Sequence, residues 1–185
     1  MGLGIVVAVR RLASEARRRS KGRNQDSFLR AKEELDAATG EMDRWIALTD
    51  YVLVAVDRIP NNEVVTLANE LLATAQAFSD SWNFGNAIHK GHLALGRVDL
   101  REGRVTQAHV HLLEAGRTPG SPQLDSFGPN MILAKELLER GETEIVLEYF
   151  QLCRKFWRMK FFVLRGWTAD VRGGQIPDFG PNLLY

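Results

Sequence analysis

Residues 93–116, LALGRVDLREGRVTQAHVHLLEAG, and residues 131–154, MILAKELLERGETEIVLEYFQLCR, lie on each other when shifted by 38 positions. Each reads as an amphipathic helix, a glycine, and a second amphipathic helix, with Gly103 and Gly141 at matching places. Glycine closes helices because it accepts the left-handed conformation at no steric cost, so it marks the turn. A helix–turn–helix unit recurring at a period of about 20–50 residues predicts stacked helical hairpins, since a single hairpin cannot bury its own apolar face. The expected fold class is therefore all-α, a short solenoid of antiparallel hairpins.

Working outward, helical spacing over 25–38 places Phe28, Ala31 and Leu35 on one face, and Gly40 supplies a stop. A longer helix over about 41–59 carries Trp45, Leu48, Val52 and Val56 and breaks at Pro60-Asn61-Asn62. The next, over 62–78, turns Val65, Leu67, Ala68, Leu71, Leu72 and Ala75 inward. Together these two make a more degenerate hairpin, with Ala68 standing 40 residues before Ala108. Thr118-Pro119-Gly120-Ser121-Pro122 reads as a rigid loop with no helix in it, and Gly128-Pro129 as the start of the third hairpin. A last helix carrying Phe161, Phe162, Leu164 and Trp167 is expected to cover the open end of the array. The organisation is then a basic arm over 1–24, a repeat domain over 25–172 and a tail over 173–185. Phe127-Gly128-Pro129-Asn130 recurs as Phe179-Gly180-Pro181-Asn182, so the tail either begins one more helical turn or packs back through Phe179, Leu183, Leu184 and Tyr185. A tail that reached a second subunit instead would make a homo-oligomer.

The 185 residues carry 45 % hydrophobic and 25 % charged side chains, ordinary for a globular protein, with a net charge of +1. That balance argues against a chain built throughout for nucleic acid. It hides an asymmetry: Arg10, Arg11, Arg17, Arg18, Arg19, Lys21 and Arg23 face only Glu15. Cys153 is the only cysteine, which excludes a disulfide framework and suits a buried apolar role better than a reactive one. No run reaches the roughly 18–20 apolar residues of a membrane span. MGLGIVVAV at the start is apolar over nine residues only, and no cation precedes it as in a signal peptide. A cytoplasmic location is expected.

The residues of the repeat resemble the tetratricopeptide repeat family. Leu95-Gly96, Gly103, Ala108, Leu112 and Ala115 match one unit, and Leu133-Ala134, Gly141, Val146, Phe150 and Cys153 match a looser second one. His92 and Asn130 stand where the family has a bulky residue in the first helix, and the 118–128 segment lengthens its unit. The resemblance implies a concave surface lined by the first helix of each hairpin, used by relatives to bind extended peptides. Matched position by position, that groove presents Lys90, Leu93, Arg97 and Arg101 from one unit, and Met131, Lys135 and Leu138 from the next. Arg97 and Lys135 are equivalent, 38 residues apart, so the resemblance sets two cations facing one space, suited to a carboxylate.

Other chemistry is thinly signalled. His89 and His92 share a helical face, with His109 and His111 on the following helix, but no carboxylate or cysteine completes a ligand set, so no metal is expected. No nucleophile elbow, phosphate loop, dinucleotide fingerprint or HExxH motif is present. Over 154–162, RKFWRMKFF interleaves aromatic and basic residues, a pattern that nucleic-acid binders share. Phe150, Cys153, Trp157 and Phe161 fall on one stripe, however, which predicts a packed helix with a basic outer face. The expected function is a non-enzymatic interaction module or adaptor, without a cofactor, binding a peptide segment of acidic character in its groove. The alternative is attachment to nucleic acid or an anionic surface through the basic arm.

Overall fold

In a computed structural model, which describes residues 26–158 and 160–184, the protein is all-helical. Nine α-helices occur among the described residues: α1 (26–37), α2 (Glu41–Ala55), α3 (Asn61–Ala75), α4 (Phe84–Arg101), α5 (Val105–Gly116), α6 (Pro122–Phe127), α7 (Ile132–Leu138), α8 (Thr143–Cys153) and α9 (Phe161–Arg172). Short 3-10 turns follow at Gln76–Phe78 and Gly180–Leu183. The basic arm, the MGLGIVVAV start and Tyr185 lie outside the described residues.

The repeated glycine produces the same turn twice. Gly103 and Gly141 adopt φ of 78° and 85°, the left-handed region. After α4, Arg104 N–H donates to Asp99 O at 2.9 Å; 38 residues later Glu142 N–H donates to Leu137 O at 3.1 Å. In both, the bond spans five residues around the glycine and satisfies carbonyls that the helix end leaves free. Gly174 (φ 76°) repeats the arrangement after α9, with Gln175 N–H on Asp170 O at 2.9 Å.

These turns fold α4 against α5 and α7 against α8, as the Asn61 break folds α2 against α3. Helix α4 is the hub: it packs on α2, α3, α5, α6 and α7, and every residue from Leu93 to Leu100 is buried. Such crowding requires small residues at the crossings. A Cβ at Gly96 would stand 2.5 Å from Leu133 Cδ2, and one at Gly85 only 1.9 Å from the carbonyl oxygen of Gly120. The second helices supply the matching core: Ala68, Ala108 and Val146 are fully buried, as are Leu112 with Phe150 and Ala115 with Cys153.

Three expectations are corrected. Pro122 does not belong to the helix-free loop, because Ser121 caps α6 by accepting from Leu124 N–H at 3.0 Å and Pro122 takes the first helical position. Pro129 does not open the third hairpin; residues 128–131 are irregular, Gly128 has φ of 91°, and α7 starts at Ile132. The stripe from Phe150 to Phe161 is not one helix. Helix α8 ends at Cys153, Trp157 is buried after the break, and Phe161 and Phe162 are exposed.

The tail packs onto its own chain. Phe179 is buried, 4.9 Å from Trp167 and 6.3 Å from Phe150 between ring centroids. Full burial of such a ring stabilises by about 1.5–3 kcal/mol. Asn182 then ties the 3-10 turn to the irregular segment: Nδ2 donates to Phe127 O and Pro129 O at 3.1 and 2.9 Å, and its carbonyl accepts from Met131 N–H at 2.7 Å. The two Phe-Gly-Pro-Asn copies are thereby in contact. Leu184 at the end is exposed.

Candidate functional site

Helices α2 and α4 lie side by side, and the irregular 128–131 segment crosses beside them. Between these elements run two recesses of about 100 and 320 Å³, which share Asp50, Lys90 and Asn130 as lining residues. The smaller also meets Leu53, Val54 and Ile132; the larger also meets Asn86, Gln123 and Phe127. Charged, amide and apolar groups thus line the two adjoining recesses. Lys90 Nζ donates to Asp50 Oδ1 at 2.7 Å across the α2–α4 seam, with the lysine side chain largely covered and the aspartate open.

The structure distributes the six expected groove residues unevenly. Lys90 lines both recesses and Arg97 the smaller. Leu93 and Met131 are fully buried and belong to the core: Leu93 lies on the enclosed hub helix α4, and Met131 lies just before α7 where its N–H donates to Asn182 O. Arg101 binds the Val56 carbonyl and Asp57, and Lys135 pairs with Glu139 at the end of its own helix; neither lines either recess. The two equivalent cations therefore do not face one space. Arg97 sits between α2 and α7 and is enclosed, whereas Lys135 stays partly open.

Arg97 is a buried hinge of charge. Its Nε and Nη2 donate to Glu136 at 2.6–3.1 Å, and Nη1 and Nη2 donate to Asp57 at 3.2 Å. Burial alone would lower the arginine's affinity for its proton, but Glu136 and Asp57 together raise it. Burial likewise pushes the Asp57 carboxyl up, yet Arg97 and Arg101 hold it below the ordinary carboxylate range. Two guanidiniums and two carboxylates make a neutral cluster, consistent with the rule that enclosed charges come paired.

A second polar network shapes the larger recess from behind. Asn86 Nδ2 donates to Asn83 Oδ1 at 2.9 Å and Gln123 Oε1 at 2.6 Å, while Ser121 Oγ donates to Asn86 Oδ1 at 2.6 Å. His89 Nδ1 lies 3.0 Å from the Ala115 carbonyl, and its Nε2 accepts from Asn130 N–H at 3.1 Å. That pattern specifies a neutral imidazole with its proton on Nδ1. Burial drives the His89 pKa down to about 4, against the pull of the Ala115 carbonyl. Tyr149 Oη donates to the Asn130 carbonyl at 3.1 Å, and Asn130 Oδ1 accepts from Ile132 N–H at 2.9 Å. Asn130 is thus fastened from both sides, and the irregular segment is a rigid wall.

His92 and His89 do not act together. His92 turns to His111, with the two Nδ1 atoms 3.0 Å apart, and His111 Nε2 lies 3.5 Å from Asp99 Oδ2. Burial, then the neighbouring His111, lowers His92 to about 4; burial also lowers His111, against Asp99 and Glu114. The Asp99 contact is one that sequence reasoning missed, since it spans a hairpin. Among the described residues no group of three or more His, Cys, Asp or Glu side chains is placed to hold a metal. Cys153 is fully buried and burial pushes its thiol far up, so it is not poised as a nucleophile. Among the described residues no helix is long and apolar enough to cross a membrane.

Comparison of the chain with known protein families, curated proteins and solved structures finds no match.

Proposed function

We propose that this protein is a non-enzymatic interaction module, a short solenoid of hairpins resembling tetratricopeptide repeats, which holds an extended peptide segment in the two adjoining recesses beside α2 and α4. The observation that carries the reading is the pair of adjoining recesses joined by Asp50, Lys90 and Asn130. A peptide backbone needs both donors and acceptors along its path, and these recesses offer a lysine, a carboxylate and side-chain amides between apolar walls. Their walls are rigid, because the Asn130 and Asn86 networks hold them, so little ordering cost falls on the host when a ligand binds.

The ligand's chemistry differs from a simple acidic one. Arg97 and Arg101 already share Asp57, and Lys90 already meets Asp50, so no bare cation awaits a carboxylate there. A segment with a neutral or mixed-charge backbone stretch and one apolar anchor beside Phe127 fits better.

A random peptide library displayed on phage, selected against the wild type, tests the reading. The expected result is an enriched family whose binding falls about tenfold or more in Lys90→Ala/Phe127→Ala, the usual scale for losing central contacts. Selection of no common sequence, or equal binding by the variant with its fold intact, refutes it. An apolar anchor in the selected family would sharpen the ligand class.

A further inference from the structure

Between residues 151 and 172 stand six basic side chains, Arg154, Lys155, Arg158, Lys160, Arg165 and Arg172, against the single carboxylate of Asp170. All six are exposed, and among the described residues no ion pair includes any of them. In the midst of these cations, Phe161 and Phe162 open α9 at 55 % and 62 % exposure. Their rings meet edge to face, with centroids 6.3 Å apart and planes at 80°. Phe161, Arg165, Thr168 and Arg172 recur at helical spacing and share one face of α9. With Gln151 and Arg154 of the α8 end they line a recess of about 470 Å³.

We propose that this end of the molecule seats on an anionic phospholipid surface. Phe161 and Phe162 enter the boundary between headgroups and acyl chains, and the arginines of the recess take headgroup phosphates. Arginine suits that role because its planar fork donates two parallel hydrogen bonds to phosphate oxygens. Apolar insertion and electrostatic attraction are each weak alone, and surface attachment normally needs both. Here they lie on one patch. Charge complementarity by itself would also admit nucleic acid, but bases stack on open aromatic faces. Phe161 and Phe162 stand side by side, exposed and without a hydrogen-bonding edge, which suits insertion beside acyl chains and favours lipid.

The test is co-sedimentation of the full chain with phosphatidylcholine vesicles, with and without phosphatidylserine. Binding is expected only with phosphatidylserine and is expected to weaken as salt rises. Arg154→Gln/Arg165→Gln/Arg172→Gln lowers partitioning about 100-fold, at about fivefold per cation. Phe161→Ala/Phe162→Ala lowers it about 100-fold, at about 1.5 kcal/mol per inserted ring. Every altered side chain is exposed, and an unchanged melting temperature verifies the fold. Absence of wild-type binding to phosphatidylserine vesicles overturns the proposal. So does full retention of lipid binding by both variants, which would assign attachment to the basic segment at 10–23. Loss of single-stranded oligonucleotide binding in the phenylalanine variant, with lipid binding intact, would give the patch to nucleic acid.

Discussion

Among the described residues, several basic side chains from α2 to the α4–α5 turn reach carboxylates on other helices or turns, and those after Cys153 reach none. Arg44 meets Glu70, Lys90 meets Asp50, Arg97 meets Asp57 and Glu136, and Arg104 meets Asp99. After Cys153, six exposed cations meet no carboxylate with their side chains among the described residues. The difference separates two uses of charge. Where helices press together, ions persist only as pairs, and they set how the helices meet. Where one side faces solvent, cations carry no structural duty and remain open to an outside partner.

The largest effect expected from this contrast is at Arg97. Its replacement by Met takes a charge-assisted partner from Asp57 and Glu136, both of which keep some solvent, and is expected to cost about 1.5–3 kcal/mol. Arg165→Met, on the open face, should stay within about 0.5 kcal/mol of the wild type. Urea denaturation of both variants checks the pair, and equal losses would erase the distinction.

Acid should expose the same division. The unfolded chain binds a proton on histidine near 6.5, whereas His89 in the fold resists it until about 4. Between those values the unfolded state holds more protons, so the contribution is complete above 6.5 and is lost as pH falls toward 4. The loss from His89 is up to about 3 kcal/mol. The basic face, residues 151–172, carries no histidine. Denaturation midpoints that stay flat from pH 7 to 4.5 would contradict the enclosed neutral imidazole.

Two glycines give the smaller tests, with opposite signs. Gly85→Ala drives a Cβ into the Gly120 carbonyl, which is backbone and cannot step aside. A loss of about 1–3 kcal/mol is expected. Gly166, within α9, meets nothing within 4 Å, and Gly166→Ala should stabilise by about 0.5–1 kcal/mol through helix propensity. Thermal melts of the two variants moving in the same direction would break the comparison.

Much of the fold is legible in the order of the residues. The 38-residue echo locates both Gly103 and Gly141, since a left-handed turn selects glycine for local steric reasons. Ala68, Ala108 and Val146 are readable as core from their helical spacing. The candidate site is less so. The resemblance sets Leu93 and Met131 in a groove, whereas both are fully buried, and α4 is enclosed by five neighbours. Helical periodicity says which face is apolar; it does not say how many other helices will reach the remaining faces. For the same reason Asn86, Gln123 and the wall-forming role of Asn130 escape a reading of the sequence, because isolated amides carry no periodic signal.

The local pattern by itself determined that the chain is helical, where its hairpins turn, and that its positive charge is concentrated rather than spread. These follow from φ preferences, 3.6-residue spacing and composition, all properties of neighbours along the chain. Tertiary structure alone decided that Arg97 and Lys135, 38 positions apart in the sequence, have different fates. It also decided that Asn182 clasps the segment opened by its own echo, and that Phe161 and Phe162 face outward. The burial of Arg97 and the clasp of Asn182 depend on which surfaces meet across 30 or more residues, and burial is a property of that meeting, not of the residue.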